Sequence, residues 1–208
     1  MNREMYKKER QLSETAVKEV FAKGNHGTLA VNGDDGYPYA VPVNYVYDND
    51  KIYIHSAKYG YKIDAIKKNN KVCFSAILNS RVQQDKFTAA YQSVVAFGKI
   101  SFVEDESERR RILEQFIYKL SPDFIEGGMK FVDAAIGKTA LLCIDVEEIK
   151  GKENMAESFD CLLYTSSFSK SQYDSIFDKI KDGSIVVKKY NSGDISSLGL
   201  SNVSVSEI

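Results

Sequence analysis

The residues best suited to chemistry lie at positions 53–62, where small and polar side chains precede a lysine. The segment reads Tyr-Ile-His-Ser-Ala-Lys-Tyr-Gly-Tyr-Lys, which predicts a strand, a turn through Gly60 and a helix with Lys62 in its first turn. Free N–H groups at a helix start favour an anion, and the Ser56 hydroxyl and the Lys62 ammonium add two donors. This spacing indicates a phosphate site, and the alternative is a capped helix with a solvated lysine.

His55 is the candidate for proton transfer in this segment. An imidazole titrates near neutral pH, so His55 could protonate a reduced substrate as a general acid. The alternative is that His55 only forms a hydrogen bond to a ligand or to a neighbouring carbonyl. The second histidine, His26, lies beside Gly24 and Gly27 and is interpreted as a surface loop residue.

No metal site is predicted from the acidic residues or the cysteines. The acidic residues at positions 34–35 and 48–50 lie in turns and lack the spacing of a calcium loop. The three cysteines, Cys73, Cys143 and Cys161, are widely spaced and form no CxxC pair. The three arginines at positions 109–111 are interpreted as a run on a helix surface.

The composition argues against two classes of partner. The 208-residue chain has a net charge of −1, whereas nucleic-acid binding requires a surplus of lysine and arginine. No run of about 18 apolar residues predicts a membrane span, and the N-terminus lacks the apolar core of a signal peptide. Together with the unpaired cysteines, these features predict a cytoplasmic protein that binds neither nucleic acid nor membrane.

The elements that must position the segment at 53–62 are mainly short strands. Period-two patterns predict an antiparallel meander of strands at 27–31, 37–47 and 51–57, then further strands at 71–78, 93–104 and 138–149. Pro38 and Pro42 require the second strand to lie at an edge, to be bulged or to be broken. Helices are predicted after Ser13 and Asp105, which can cap them, and from Pro122 to about position 136. About six strands with few helices favour a barrel, because closure hides the sheet edges.

Two regions are predicted along the chain. Residues 1–154 form the barrel domain, and residues 155–208 form a C-terminal extension. A helix is predicted at about 170–181, where apolar residues recur at helical spacing. Beyond Asn191 the chain becomes rich in serine and is interpreted as a tail.

The sequence also resembles a known family. The run DGYPYAVPVNYVYDNDKIYIHSAKYGYKIDAIKKNNKVCF at 35–74 combines DGxPxxxPVNY, the IYxHSA strand end and a lysine in fixed order. It resembles the pyridoxamine 5′-phosphate oxidase-like FMN-binding superfamily, nearest the branch of nitroimidazole-resistance (Nim) flavoproteins. The resemblance covers about residues 5–152. It implies a mainly β fold, an antiparallel FMN-binding split β-barrel with peripheral helices.

The resemblance implies a homodimer with FMN in a groove between the two chains. The residues it places against FMN fall on three strands and one helix start: Val43, Asn44 and Tyr45 along the flavin ring, His55, Ser56 and Ala57 beside the ribityl chain and phosphate, Lys62 and, as a helper, Lys58 at the phosphate, and Tyr91 and Ser93 from the second subunit. A histidine at the position of His55 lies near the flavin in the Nim branch and has been linked to catalysis.

The function implied is an FMN-dependent reductase that takes electrons from a donor such as NAD(P)H and passes them to a small molecule such as a nitroaromatic. Two alternatives remain: a flavin-binding module without efficient turnover, and the same barrel holding haem or a deazaflavin. Oxidation of pyridoxamine phosphate itself is less expected, because the chain lacks the arginine-rich C-terminal substrate motif of such oxidases.

Overall fold

Antiparallel strands dominate the residues that the computed structural model describes, 4–84 and 86–154. The strands are β1 (His26–Asn32), β2 (Pro38–Asn44), β3 (Val46–Asp48), β4 (Lys51–Ala57), β5 (Lys71–Gln83), β6 (Thr88–Phe102) and β7 (Thr139–Asn154). The helices are α1 (Glu14–Lys23), α2 (Tyr61–Lys68), α3 (Glu106–Leu120) and α4 (Ile125–Ala135), with short 3-10 turns at Lys8–Arg10 and Pro122–Phe124. The predicted extension at 155–208, with its helix at about 170–181, lies outside the described residues.

The strands form one sheet in the order β2-β1-β5-β6-β7-β4-β3, and every neighbouring pair is antiparallel. The predicted mainly β, antiparallel class with peripheral helices is therefore confirmed. None of the described helices is long and apolar enough to cross a bilayer.

The predicted meander of three consecutive strands is wrong. The β1–β2 and β3–β4 hairpins lie at opposite ends of the hydrogen-bonded order, because β5, β6 and β7 pair between them. The two hairpins are separated by Tyr45, a single residue that belongs to neither β2 nor β3. β2 nevertheless lies beside β4, so the ends of the sheet approach each other. Pro38 and Pro42 are accommodated because β2 is an edge strand, which is one of the three predicted alternatives.

The helix starts follow the predicted caps. The Ser13 side chain accepts a hydrogen bond from the Ala16 N–H at 3.2 Å, and α1 begins at the next residue. Asp105 accepts from the Glu108 N–H at 2.7 Å at the start of α3. The Tyr53 hydroxyl donates to Glu108 Oε1 at 2.9 Å, and this bond ties the first turn of α3 to β4.

β4 is covered on both faces, and this fixes the strand that leads into the candidate phosphate site. Ile52 and Ile54 are fully buried in the main core, which also includes the apolar sides of α1 and α2. Tyr53 points to the other face and packs in a second cluster with Ile112 and Phe116 of α3. The predicted alternation is confirmed, and burial of both faces holds β4 in place.

Lys119, in the last turn of α3, is a half-buried cation beside Tyr45, the residue between β2 and β3. Its Nζ lies 4.5 Å from the centroid of the Tyr45 ring and donates to the Phe21 carbonyl oxygen at 3.5 Å. Burial lowers the pKa of Lys119 to about 8, and burial raises the pKa of Tyr45 above its usual value. Water is partly excluded from the site, which makes the charged form of Lys119 less stable than it is in solvent.

We expect Lys119→Met to remove a pH dependence of stability. Between the folded pKa of about 8 and the unfolded value of 10.5, the unfolded chain binds more protons, so this lysine makes stability rise with pH. Urea unfolding at several pH values should show the wild-type free energy of unfolding rising across that window relative to Lys119→Met. The control Lys67→Met, on the exposed side of α2, should show the same pH dependence of stability as the wild type. If the free energy of unfolding of Lys119→Met changes with pH in parallel with the wild type, the lowered pKa of Lys119 is contradicted.

Candidate functional site

An open cleft of about 600 Å³ lies where β4 ends and α2 begins. Four of the sequence-predicted residues line it together: His55, Ser56, Ala57 and Lys62. The other lining residues were not predicted: Tyr39, Tyr59, Gly60, Tyr61, Lys138 and Thr139. The cleft therefore combines one continuous segment of sequence with residues brought in from β2 and from the start of β7.

The turn from β4 into α2 depends on Gly60. Its φ of +111° is a conformation that L side chains rarely adopt, so glycine is the residue that fits there. The Gly60 carbonyl accepts from the N–H groups of Ile63 and Asp64 at 2.8 and 3.1 Å. The N–H groups of Tyr61 and Lys62 precede these donors and have no partner within the helix. Because Gly60 has no side chain to cap them, they can bind an anion.

The charge of the cleft is positive. Of the described residues that line it, none is acidic, and Lys62 forms no ion pair with any described residue. Lys62 is half-buried, and burial lowers its pKa because the charged form is poorly solvated. A phosphate at this position would supply the missing counter-charge, so the residues present fit the phosphate of FMN.

The His55 ring borders the cleft and packs edge-to-face against Phe116, with ring centroids 4.6 Å apart. Its pKa is lowered from 6.5, first by burial and then by the positive charge of Lys62. The imidazole is therefore mostly neutral at pH 7 in this state. An anion that neutralises Lys62 would allow the His55 pKa to rise again.

Three further predicted residues, Val43, Asn44 and Tyr45, do not line the cleft. The side chain of Tyr45 is fully buried, and the Asn44 amide donates to the Asn25 carbonyl at 3.0 Å. Val43 is half-buried and packs against the main core. In contrast, Tyr39 of β2 lines the cleft itself.

Lys58 does not line the cleft. Its ammonium donates to the Gly137 carbonyl at 2.6 Å, in the turn between α4 and β7. This contact ties the end of β4 to the turn that precedes Thr139, the β7 partner of Ala57.

Tyr91 and Ser93 lie far along the sheet from the cleft of their own chain. Ser93 pairs with Lys152 on β7, whereas Ala57 pairs with Thr139 on the same strand. At about 3.4 Å per residue, the intervening stretch of β7 spans roughly 40 Å. One chain therefore does not bring these two residues to its own cleft.

The unpredicted lining residues have structural reasons for their positions. The rings of Tyr39 and Tyr61 meet edge-to-face at 4.9 Å, and the Tyr61 hydroxyl accepts a hydrogen bond from the Asp34 N–H at 3.0 Å. Tyr59 and Tyr61 belong to the segment at 53–62 and could have been included. Lys138 and Thr139 carried no such signal, because only the β4–β7 pairing brings them to the cleft.

Comparisons with known proteins agree with this fold. One matched solved structure is a protein named for 5-nitroimidazole antibiotic resistance from Bacteroides thetaiotaomicron, with 24% identity, coverage of 69% of this chain and 86% of that one, and a TM-score of 0.54. A second is an FAD-binding protein from Mesorhizobium loti, with 24% identity, coverage of 70% of this chain and 98% of that one, and a TM-score of 0.50. A third is an FAD and haem binding protein from Mycobacterium smegmatis, with 16% identity, coverage of 71% of this chain and 74% of that one, and a TM-score of 0.59. No curated protein matches the chain.

The family assignment comes from a family sequence model. The model described as pyridoxamine 5′-phosphate oxidase matches residues 13–153, which is most of the chain and nearly all of the described sheet. The resemblance and the split-barrel class predicted from the sequence are thus confirmed. The chain belongs to the pyridoxamine 5′-phosphate oxidase family.

Proposed function

We propose that the cleft binds FMN with its phosphate at the start of α2, and that the protein is a flavin-dependent reductase of small molecules. The observation that carries the proposal is the half-buried ammonium of Lys62, which lines a cleft without an acidic residue among those described. The Ser56 hydroxyl and the N–H groups at the start of α2 supply further donors for the same phosphate.

The size and setting of the cleft support a flavin as the ligand class. A volume of about 600 Å³ is within the range of small-molecule sites. Two of the matched structures are named as FAD-binding proteins, and another is named for nitroimidazole resistance. These names support a flavin and a nitroaromatic acceptor as the first ligands to test.

We further propose that a second copy of the chain completes the site. Tyr91 and Ser93 are separated from Ala57 by roughly 40 Å of strand, so they can meet the same flavin only from a partner. A twofold arrangement would place the distal part of β6 of each chain against the cleft of the other. Val43, Asn44 and Tyr45 would then meet the ring through their backbone.

A bound flavin would supply the electron transfer, and the residues of this chain would bind it, orient it and hold a proton. Lys62, with the Ser56 hydroxyl, would fix the phosphate end. His55 would be the catalytic acid: its pKa is lowered first by burial and then by the charge of Lys62, and a bound phosphate would remove the second of these two effects. Electrons would come from NADH or NADPH, bound transiently.

The first experiment identifies the small molecule that co-purifies with the full-length protein. We expect a yellow protein whose released cofactor has the mass of FMN. A released flavin with the mass of FAD would correct the cofactor, and a Soret band would favour haem. A colourless protein that does not bind added FMN would contradict the proposed function.

A second experiment separates an enzyme from a flavin-binding module. Anaerobic mixing of the holoprotein with NADH or NADPH should bleach the flavin absorbance, and a nitroaromatic acceptor should restore it. If neither nucleotide bleaches the flavin, the module without turnover is the better assignment.

Lys62→Ala is expected to weaken FMN binding by about tenfold, the scale of one charge-assisted hydrogen bond. The dissociation constant can be measured by quenching of flavin fluorescence with apoprotein. Lys67→Ala is the matched control, because Lys67 lies exposed on the same helix and does not line the cleft. Unchanged affinity in Lys62→Ala would remove Lys62 from the site.

A further inference from the structure

Two cations hold the turn between α4 and β7 at the edge of the cleft. Arg109 of α3 donates from one guanidinium nitrogen to the Ile136 carbonyl at 2.5 Å and to the Thr139 carbonyl at 2.8 Å. Lys58 donates to the Gly137 carbonyl between them at 2.6 Å. Three carbonyls of the link from the end of α4 to the first residue of β7 thus accept hydrogen bonds from positive charges, which the C-terminal end of a helix favours.

The same turn presents Lys138 to the cleft. The Lys138 N–H donates to the Ala135 carbonyl at 2.9 Å, so its backbone is fixed as well. Its side chain lines the cleft, is exposed, and forms no ion pair with any described residue. Two unpaired lysines, Lys62 from α2 and Lys138 from the turn before β7, therefore border one cavity.

We propose that Lys138 is a second cation for the phosphate of the ligand, and that Arg109 is a positioning residue that holds the turn carrying it. The inference rests on the proposed function, because it requires a ligand with a phosphate at the start of α2. It replaces Lys58 as the helper of Lys62, since the Lys58 ammonium is engaged by Gly137.

The lining of the cleft offers an anion two lysine side chains and no acidic side chain among the described residues. No described acidic residue therefore lines the cavity to offset the charges of Lys62 and Lys138. Arg109 is half-buried, does not line the cleft and is engaged by carbonyl groups, so its contacts hold the turn in place. A dianionic phosphate would interact favourably with both lysines.

The test compares FMN with riboflavin, which has the same ring and no phosphate. Dissociation constants are measured for the full-length apoprotein and for Lys138→Gln, Arg109→Gln, the double variant and Lys130→Gln. The ratio of the riboflavin constant to the FMN constant isolates the phosphate contribution. We expect Lys138→Gln to lower that ratio about threefold to fivefold, because an exposed pair is weaker than a buried one. Lys130→Gln, an exposed lysine paired with Glu126, should leave it unchanged.

Arg109→Gln should lower the ratio as well, and the double variant should show no further loss beyond Lys138→Gln. That coupling is the signature of a positioning residue, and independent losses in the double variant would overturn the role of Arg109. If the wild type prefers FMN and Lys62→Ala weakens that preference while Lys138→Gln does not, the role of Lys138 is overturned. If the wild type shows no preference for FMN over riboflavin, the phosphate site of the proposed function itself fails.

Discussion

Gly98→Ala is expected to lower the free energy of unfolding by about 3 kcal/mol, although it adds only one methyl group. A Cβ at Gly98 would lie 2.2 Å from the carbonyl oxygen of Asp145 and 3.0 Å from its carbonyl carbon. Both atoms are backbone of β7, which is paired with β4 and β6. β7 cannot move away from Gly98 without weakening its hydrogen bonds to β4 and β6, so the steric strain remains in the folded state.

The close approach follows from an irregularity in the β6–β7 ladder. Phe97 pairs with Glu148 and Gly98 pairs with Val146, so one residue of β7 is left over at this point. A β-bulge of this kind turns the backbone and brings a carbonyl towards the neighbouring strand. Glycine is the residue that leaves room for it.

Urea unfolding of wild type, Gly98→Ala and Gly127→Ala measures the effect. Gly127 lies inside α4, where an added Cβ would meet nothing within 4 Å. Because alanine is the better helix former, Gly127→Ala should stabilise the protein by roughly 0.5–1 kcal/mol. Equal effects of the two substitutions would contradict the steric explanation for Gly98.

A heterodimer of two defective chains is expected to regain one wild-type FMN site. One chain carries Lys62→Ala, and the other carries Tyr91→Ala with Ser93→Ala. If each site combines the cleft of one chain with β6 of the other, all the changes fall into one of the two sites and leave the second intact. Co-expression with two affinity tags isolates the heterodimer, and FMN titration counts its tight sites.

The control heterodimer pairs Lys62→Ala with Ser56→Ala. These residues lie in the same cleft, so each of its two sites has one defect and no wild-type site is expected. Recovery in both heterodimers, or in neither, would contradict the shared site. Sedimentation showing a monomer that still binds FMN tightly would do the same.

The sequence predicted local features well because their causes are local. The caps at Ser13 and Asp105, the strand before Ala57 and the turn at Gly60 each depend on residues a few positions apart. The candidate phosphate site was found for the same reason, since most of it lies in one continuous segment. Tyr39 and Lys138 were missed because the β2–β4 approach and the β4–β7 pairing are long-range.

The strand lengths were underestimated where pairing continues through polar sequence. Residues 79–92 read as a polar link, yet β5 extends to Gln83 and β6 begins at Thr88. The two strands resume their pairing beyond an irregularity between Leu78 and Arg81, and backbone hydrogen bonds support them where the side chains give little signal.

The three arginines at 109–111 show that residue type alone does not predict which side chains are exposed. In sequence they look alike, but successive helix residues point about 100° apart. Arg109 bonds carbonyls of the turn before β7, Arg110 pairs with Glu114 and Asp133, and Arg111 pairs with Asp48. The interpretation of all three as a surface run was wrong for Arg109, which is half-buried and structural.

The position of β7 between β6 and β4 has a consequence for biosynthesis. The residues of the cleft up to Lys62 leave the ribosome early, but Lys138, Thr139 and the strand that braces β4 come more than 70 residues later. Until that stretch emerges, β4 has no neighbour on its β7 side and the cleft lacks Lys138 and Thr139. If the cleft binds flavin as proposed, nascent chains halted before β7 should not retain it, and loading would belong to a late stage of synthesis.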